Sequence, residues 1–362
     1  MISGVPPVWQ EQPPAPTSKA PSPLSFLKAV RWVPASLLAA VCACSGACVV
    51  LLTLLPATGV AAPLGAEYTF RVWGVERVTA AAPKPSPAAA TIAWCALGAY
   101  AMLWALAVAS AVVTMRTPPG HIPLWLYSRE PGDQAYFHNV LQAVEKKLDG
   151  SLRFCRKCGA FKPDLAHHSR ELGLCILCYQ HWDIWSNNAI GFYNHKSYLL
   201  CLVYGACAHG ASVAMLLPGV LRAWPLSTAA QPPYFVLLNA LWRGGESAVF
   251  GFAALSALTS AVLGVGSLLW LLFHAVLVAR GTTAHGFFRQ VGCARHKPPK
   301  PRVSGNPFDF GVKGNFARAC GRHPLLWLLP SNQGVEGNGI FFELRTQGAH
   351  GDGHGSAWPR QK

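Results

Sequence analysis

Residues 247–279 read SAVFGFAALSALTSAVLGVGSLLWLLFHAVLVA, a run without a single Asp, Glu, Lys or Arg. A bilayer is crossed by ~20 apolar residues in a helix, and this run exceeds that length. Three more windows share the property: 32–66, 85–115 and 197–221. The expected spans are about 35–56, 91–113, 198–218 and 249–277. The runs are continuously apolar and lack the alternation of barrel strands, so helix is the expected form, with every backbone group satisfied internally.

The rest of the composition agrees. Charged residues are 12% of the 362-residue chain, hydrophobic residues 52%, and the mean hydropathy is +0.28. This balance excludes broad disorder and a soluble nucleic-acid binder, despite the net charge of +15. The basic residues instead report orientation. Of 30 Lys and Arg, 25 fall in the head, the central loop 116–196 and the tail. With four spans these three segments share one side, expected to be the cytosol.

The head, with Pro6, Pro7, Pro13, Pro14, Pro16, Pro21 and Pro23, reads as an extended leader. The first run begins behind it and is longer than a signal core, so it reads as a span rather than a cleaved signal. No lipid-anchor signal is read. Residues 346–362, with His350 and His354, read as loose chain. His209 and His274 fall inside expected spans and are read as neutral imidazoles bonded to neighbouring helices. The stretch His138 to Leu148 reads as an amphipathic helix presenting Val140, Leu141, Val144 and Leu148.

Twelve cysteines divide into three groups. Cys42, Cys44, Cys48, Cys95, Cys201 and Cys207 fall in expected spans, where Cys behaves as a small apolar residue. Cys293 and Cys320 are isolated in the tail. The last four form Cys155-x2-Cys158, sixteen residues, then Cys175-x2-Cys178. Paired thiolates at this spacing fit a tetrahedral zinc. His167 and His168 lie between the pairs, so the fourth ligand is either Cys178 or His168 on spacing alone.

The loop now becomes recognisable. Cys155-x2-Cys158, Lys162-Pro163, His167-His168, then Trp185, Asn187-Asn188, Gly191, Asn194 and Tyr198 resemble the cysteine-rich domain of the DHHC protein S-acyltransferases (palmitoyltransferases). Pro118-Pro119-Gly120 resembles that family's Asp-Pro-Gly motif, and Thr282-Thr283-Ala284-His285 its Thr-Thr-x-Glu motif, with His285 where Glu is usual. Asn306-Pro307-Phe308-Asp309-Phe310-Gly311, Asn315, Leu326 to Pro330 and Gly337-Asn338-Gly339 resemble its tail elements.

The resemblance implies an all-α polytopic membrane protein. Four transmembrane helices would flank a small zinc-bound cytosolic cysteine-rich domain between helices 2 and 3. The expected boundaries are 1–33 (leader), 34–115, 116–197 (cysteine-rich domain), 198–280, 281–345 (tail) and 346–362. Both termini would be cytosolic, in Golgi or endoplasmic reticulum membranes. The family moves palmitoyl groups from palmitoyl-CoA to protein cysteines. Its partners are the lipid bilayer and substrate proteins, with an active relative as a further partner for a silent member, and no nucleic acid.

The signature itself departs from the family. The Asp-His-His-Cys position is occupied by Gln180-His181-Trp182-Asp183. The family's nucleophile is the Cys, with the preceding His as base and the Asp orienting it. Here only His181 remains, and an aspartate is a poor substitute for a thiolate. One of the family's two zinc sets maps onto Cys155, Cys158, His168 and Cys175, all present, which favours His168 over Cys178. The other maps onto Ser169, Leu172, Trp182 and Ala189, with no ligand remaining. The expectation is one structural zinc and a catalytically silent scaffold, regulator or acyl-CoA binder. The alternative is an active acyltransferase with a displaced nucleophile such as Cys178.

Overall fold

The computed structural model describes residues 33–51, 70–72, 75–77, 86–127, 134–147, 149–223, 245–293, 306–331, 335 and 337–342. The Pro-rich leader, the first apolar run beyond Leu51 and the His350/His354 segment lie outside the described residues.

In chain order the elements begin with α1 (Val33–Val49), the strand pair β1 (Phe70–Val72) and β2 (Val75–Arg77), and α2 (Pro87–Arg116). A short helix α3 (Gln134–Leu141) precedes three small antiparallel hairpins. These are β3 (Phe154–Cys155) with β4 (Ala160–Phe161), β5 (His167–His168) with β6 (Cys175–Ile176), and β7 (His181–Asp183) with β8 (Asn188–Ile190). Then come α4 (His195–Ala223), α5 (Gly245–Ala279), α6 (Ala284–Cys293) and α7 (Gly311–Cys320).

Among the described residues, three helices are long and apolar enough to cross a membrane: Pro87–Arg116, His195–Pro218 and Gly251–Ala279. Of the four expected spans, the first is described only as the 17 residues of α1. The expectation of an all-α chain is corrected. The cysteine-rich segment folds as hairpins, its chain reversing within four to six residues at each turn. Gly159, at φ +65°, turns the chain between β3 and β4.

The amphipathic helix expected over 138–148 ends at Leu141 instead. Gln142 takes a left-handed conformation, φ +46°. The next free amides, Val144 and Glu145, donate to the Asp164 carboxylate at 3.0 and 2.8 Å rather than to helical carbonyls. Arg153 closes the same junction, pairing with Glu145 at 2.6 Å and donating to the carbonyl of Pro163. The domain core gathers Ile122, Leu126, Leu152, Phe161, Leu177 and, from the far tail, Ile340.

What joins this domain to the spans is a set of asparagine side chains. The last carbonyls of a helix have no partner within it. Asn188 Nδ2 donates to the carbonyls of Thr114, Met115 and Thr117 at the end of α2. Asn194 bridges the Gly191 amide and the Ala189 carbonyl beside it. Asn315 on α7 donates to Ala279, the last residue of α5, and Asn306 to Arg280 and Gly281. Gly120, at φ +94°, carries the chain out of α2, and its carbonyl accepts from Leu177.

Gly191 sits at a close approach in this joint. A Cβ there would stand 2.5 Å from the Pro119 carbonyl oxygen and 2.6 Å from Ile176 Cγ2. Gly205, within α4, has nothing within 4 Å of its would-be Cβ. Gly191→Ala should destabilise the protein by ~1–3 kcal/mol through overpacking. Gly205→Ala should leave the apparent Tm in detergent unchanged or raise it slightly. Equal Tm for both variants would contradict this packing.

Candidate functional site

Cys155 ends β3 and Cys158 lies in the β3–β4 turn, and His168 and Cys175 face each other as cross-strand partners of β5 and β6. Two hairpin tips thereby converge. The ligand atoms of Cys155, Cys158, His168 and Cys175 all lie within 4.8 Å of one another. His168 Nδ1 is 3.2 Å from Cys158 Sγ and 3.6 Å from Cys155 Sγ. Three sulfurs and one imidazole at this separation match the donor set and size of a structural zinc site. Hydrogen bonding from Cys175 draws the Cys158 thiol down to about 5, while the Cys175 thiol is pushed up by the same pairing and by burial. The cluster therefore already favours a thiolate.

Cys178 stands apart from this cluster. It lines a separate cavity of about 90 Å³ with Gln180, Thr283, Asn315, Arg318 and Phe342 among its walls. Burial pushes its thiol up to about 12, with the Arg318 charge only partly opposing. A neutral thiol is a weak nucleophile.

The four signature-equivalent residues occupy β7 and the residue before it. Gln180 is buried, and its Oε1 accepts from the Ala284 amide at 2.8 Å, at the start of α6. His181 is packed among the rings of Tyr198, Trp270 and His274, at centroid distances of 5.3–5.5 Å. Its Nδ1 is buried with no hydrogen-bond partner among the described residues. Burial lowers the basicity of His181, and the Asp183 charge partly restores it. Asp183 is 7% exposed, and its Oδ2 accepts from the Ser186 amide at 2.8 Å. That bond closes the β7–β8 turn, so the carboxylate serves the backbone.

Ser169, Leu172, Trp182 and Ala189 hold no common ligand set. Leu172 and Trp182 pack with Leu174 against Ile176, Tyr179 and Ala189 in one apolar cluster, where Trp182 and Ala189 are cross-strand partners. Ser169 Oγ donates to Glu171.

Three contacts join histidines to partners distant along the chain, two of them at His209 and His274, which the sequence places against neighbouring helices without naming the partner. His274 Nδ1 lies 3.4 Å from His195 Nε2, linking α5 to α4 beside His181. His209 Nε2 lies 3.7 Å from Cys42 Sγ, linking α4 to α1. His285 stacks on His167 with centroids 3.6 Å apart, fastening α6 to the β5–β6 hairpin. His195 has no periodic pattern around it, and its partner is distant along the chain. Of the tryptophans, Trp270 donates to Tyr198 Oη at 2.6 Å, and Trp242 lies outside the described residues.

Residues 149–291 match the family model of the DHHC palmitoyltransferases. The chain is 29% identical over 235 residues to palmitoyltransferase ZDHHC15A of Danio rerio, covering 62% of this chain and 64% of that protein. It is 25% identical over 244 residues to probable protein S-acyltransferase 16 of Arabidopsis thaliana, covering 67% and 78%. It is 29% identical over 256 residues to palmitoyltransferase ZDHHC2 of Mus musculus, covering 66% and 64%. The match thus spans less than two thirds of the zebrafish and mouse relatives. With its paired Cys/His hairpins set between apolar helices, this multi-pass membrane protein is similar to the DHHC-type protein S-acyltransferases and carries their family domain over residues 149–291.

Proposed function

We propose that the chain keeps the family's architecture and a single zinc site but performs no protein acyl transfer. It acts as a membrane scaffold or regulator, holding a lipid, acyl-CoA or a partner such as an active relative or its substrate. The observation that carries this is Asp183: a buried carboxylate, hydrogen-bonded into a turn, stands where the family's thiol nucleophile is expected. An acyl group on such a carboxylate is a mixed anhydride that water destroys. Gln180 adds to the argument. Its side chain is engaged by Ala284 and brings no negative charge to His181, leaving only the turn-bound Asp183 carboxylate to offset the burial that lowers the basicity of His181.

The orientation and span count belong to the same reading. The 17 residues of α1 extend ~26 Å at a helical rise of ~1.5 Å, and the apolar sequence continues beyond Leu51. Counting it gives four spans, with the Cys/His domain and both termini on the cytosolic side of Golgi or endoplasmic reticulum membranes.

Zinc at Cys155, Cys158, His168 and Cys175 would brace the two hairpins against each other. Structural zinc supplies ~10–16 kcal/mol of apparent binding energy to small domains. The second set has been exchanged wholesale. Leu172, Trp182 and Ala189 pack where thiolates and an imidazole would otherwise need a metal to balance their burial. Elemental analysis of the purified full-length protein should give one zinc per chain. His168→Ala should bring it well below one, and Cys178→Ala should leave it at one. Two zinc ions per chain would overturn the assignment.

The competing reading is transfer through a displaced thiol at Cys178. Its raised pKa and separate cavity disfavour it. Incubated with a clickable palmitoyl-CoA, the wild type should carry no hydroxylamine-sensitive label, and Asp183→Cys should gain one. A wild-type thioester label lost in Cys178→Ala would establish the second reading instead.

A further inference from the structure

After α7 the chain leaves Cys320 through Gly321, at φ +101°, and turns back along α4. Lys196, only 1% exposed, donates from Nζ to the Leu326 carbonyl at 2.8 Å. Tyr204 Oη donates to the Leu328 carbonyl. Both anchors belong to α4, and both lie in its membrane-crossing segment, His195–Pro218. Tyr204 is nine residues into that segment, about 13 Å along the axis at ~1.5 Å per residue. A helical tyrosine leans toward the N-terminus, yet its hydroxyl still lies beside apolar helix rather than beyond its end. The backbone of residues 326–328 therefore runs at membrane depth, and its two carbonyls are satisfied by donors from the span, as lipid requires.

The side chains are sorted in the same sense. Trp327 turns inward, donating from Nε1 to the Gly321 carbonyl at 2.7 Å and stacking on Phe316. The leucines turn outward: Leu325 is 92% exposed, Leu328 63% and Leu329 49%. A loop facing water would keep its leucines in and its polar edges out. The inverted arrangement, fastened to α4 through Lys196 and Tyr204, calls for an apolar surrounding.

We propose that residues 324–329 form a re-entrant wedge whose leucines are buried in the acyl-chain region of the leaflet adjoining the Cys/His domain. The wedge fastens α7, and through Asn315 the end of α5, to the membrane surface. Its occupant is lipid hydrocarbon, not a second copy of the chain and not a soluble partner.

The test uses the full chain in phosphatidylcholine nanodiscs, with an environment-sensitive fluorescent amino acid placed at position 325. Lipids bearing a nitroxide high on the acyl chain should quench most of its emission, and aqueous iodide should quench little. Strong iodide quenching without nitroxide quenching overturns the proposal, since the loop then lies in water. Protection from both quenchers overturns it as well, since another protein surface then covers the loop. Tyr204→Phe, which removes the deeper anchor, should increase iodide access to position 325; unchanged access counts against the wedge. Where that variant does not assemble, the unaltered anchor pair and the two quenchers decide the question alone.

Discussion

A helix that ends at a membrane surface exposes carbonyls that neither its own amides nor lipid can satisfy. In this protein the amide side chains of Asn188 and Asn315 take up that task at the ends of α2 and α5. Everything else in the functional region depends on these bonds. They fix the β7–β8 hairpin against α2, and with it the positions of His181 and Asp183. They fix α7 against α5, and with it the cavity beside Cys178. These bonds are buried or half-buried, and a buried carbonyl left unsatisfied costs ~1–3 kcal/mol, so the joint is specific as well as strong.

In the proposed reading, the metal region keeps one donor set and replaces the other with apolar core. At one site the four donors converge. At the other mapped set the side chains form an apolar cluster around Ile176 and Tyr179. Intermediate states of such an exchange are costly, because a buried thiolate without its ion is an uncompensated charge. A site removed entirely leaves ordinary core. The two sites share the β5–β6 hairpin, so the surviving cluster braces the same backbone that the apolar cluster packs against.

Much of this architecture is legible in the order of the amino acids. The uncharged runs locate α2, α4 and α5, since composition alone decides whether a helix suits lipid. The Cys spacing locates the two hairpin tips but leaves Cys178 and His168 open, because spacing cannot say which way a side chain turns. Geometry separates them: His168 faces Cys175 across a strand pair, and Cys178 lies beyond it with φ at +48°. The helix expected over 138–148 fails for a comparable reason. Its period is right, but Asp164, nineteen or twenty residues further on, captures the amides that would have continued it. The His195–His274 and His167–His285 contacts join residues far apart in sequence, and no local pattern encodes them.

Ile340 packs in the same core as Leu152 and Leu177, and Gln180 is held by the amide of Ala284. The core of the Cys/His domain is thus closed by residues translated only after α4 and α5. During synthesis the hairpins emerge first and wait, with part of their apolar interior uncovered, until the last span has been inserted and the tail has returned. Loop closure over so long a stretch is slow compared with local hairpin formation. A metal ion held by Cys155, Cys158, His168 and Cys175, all close in sequence, would give the nascent domain a local crosslink for that interval.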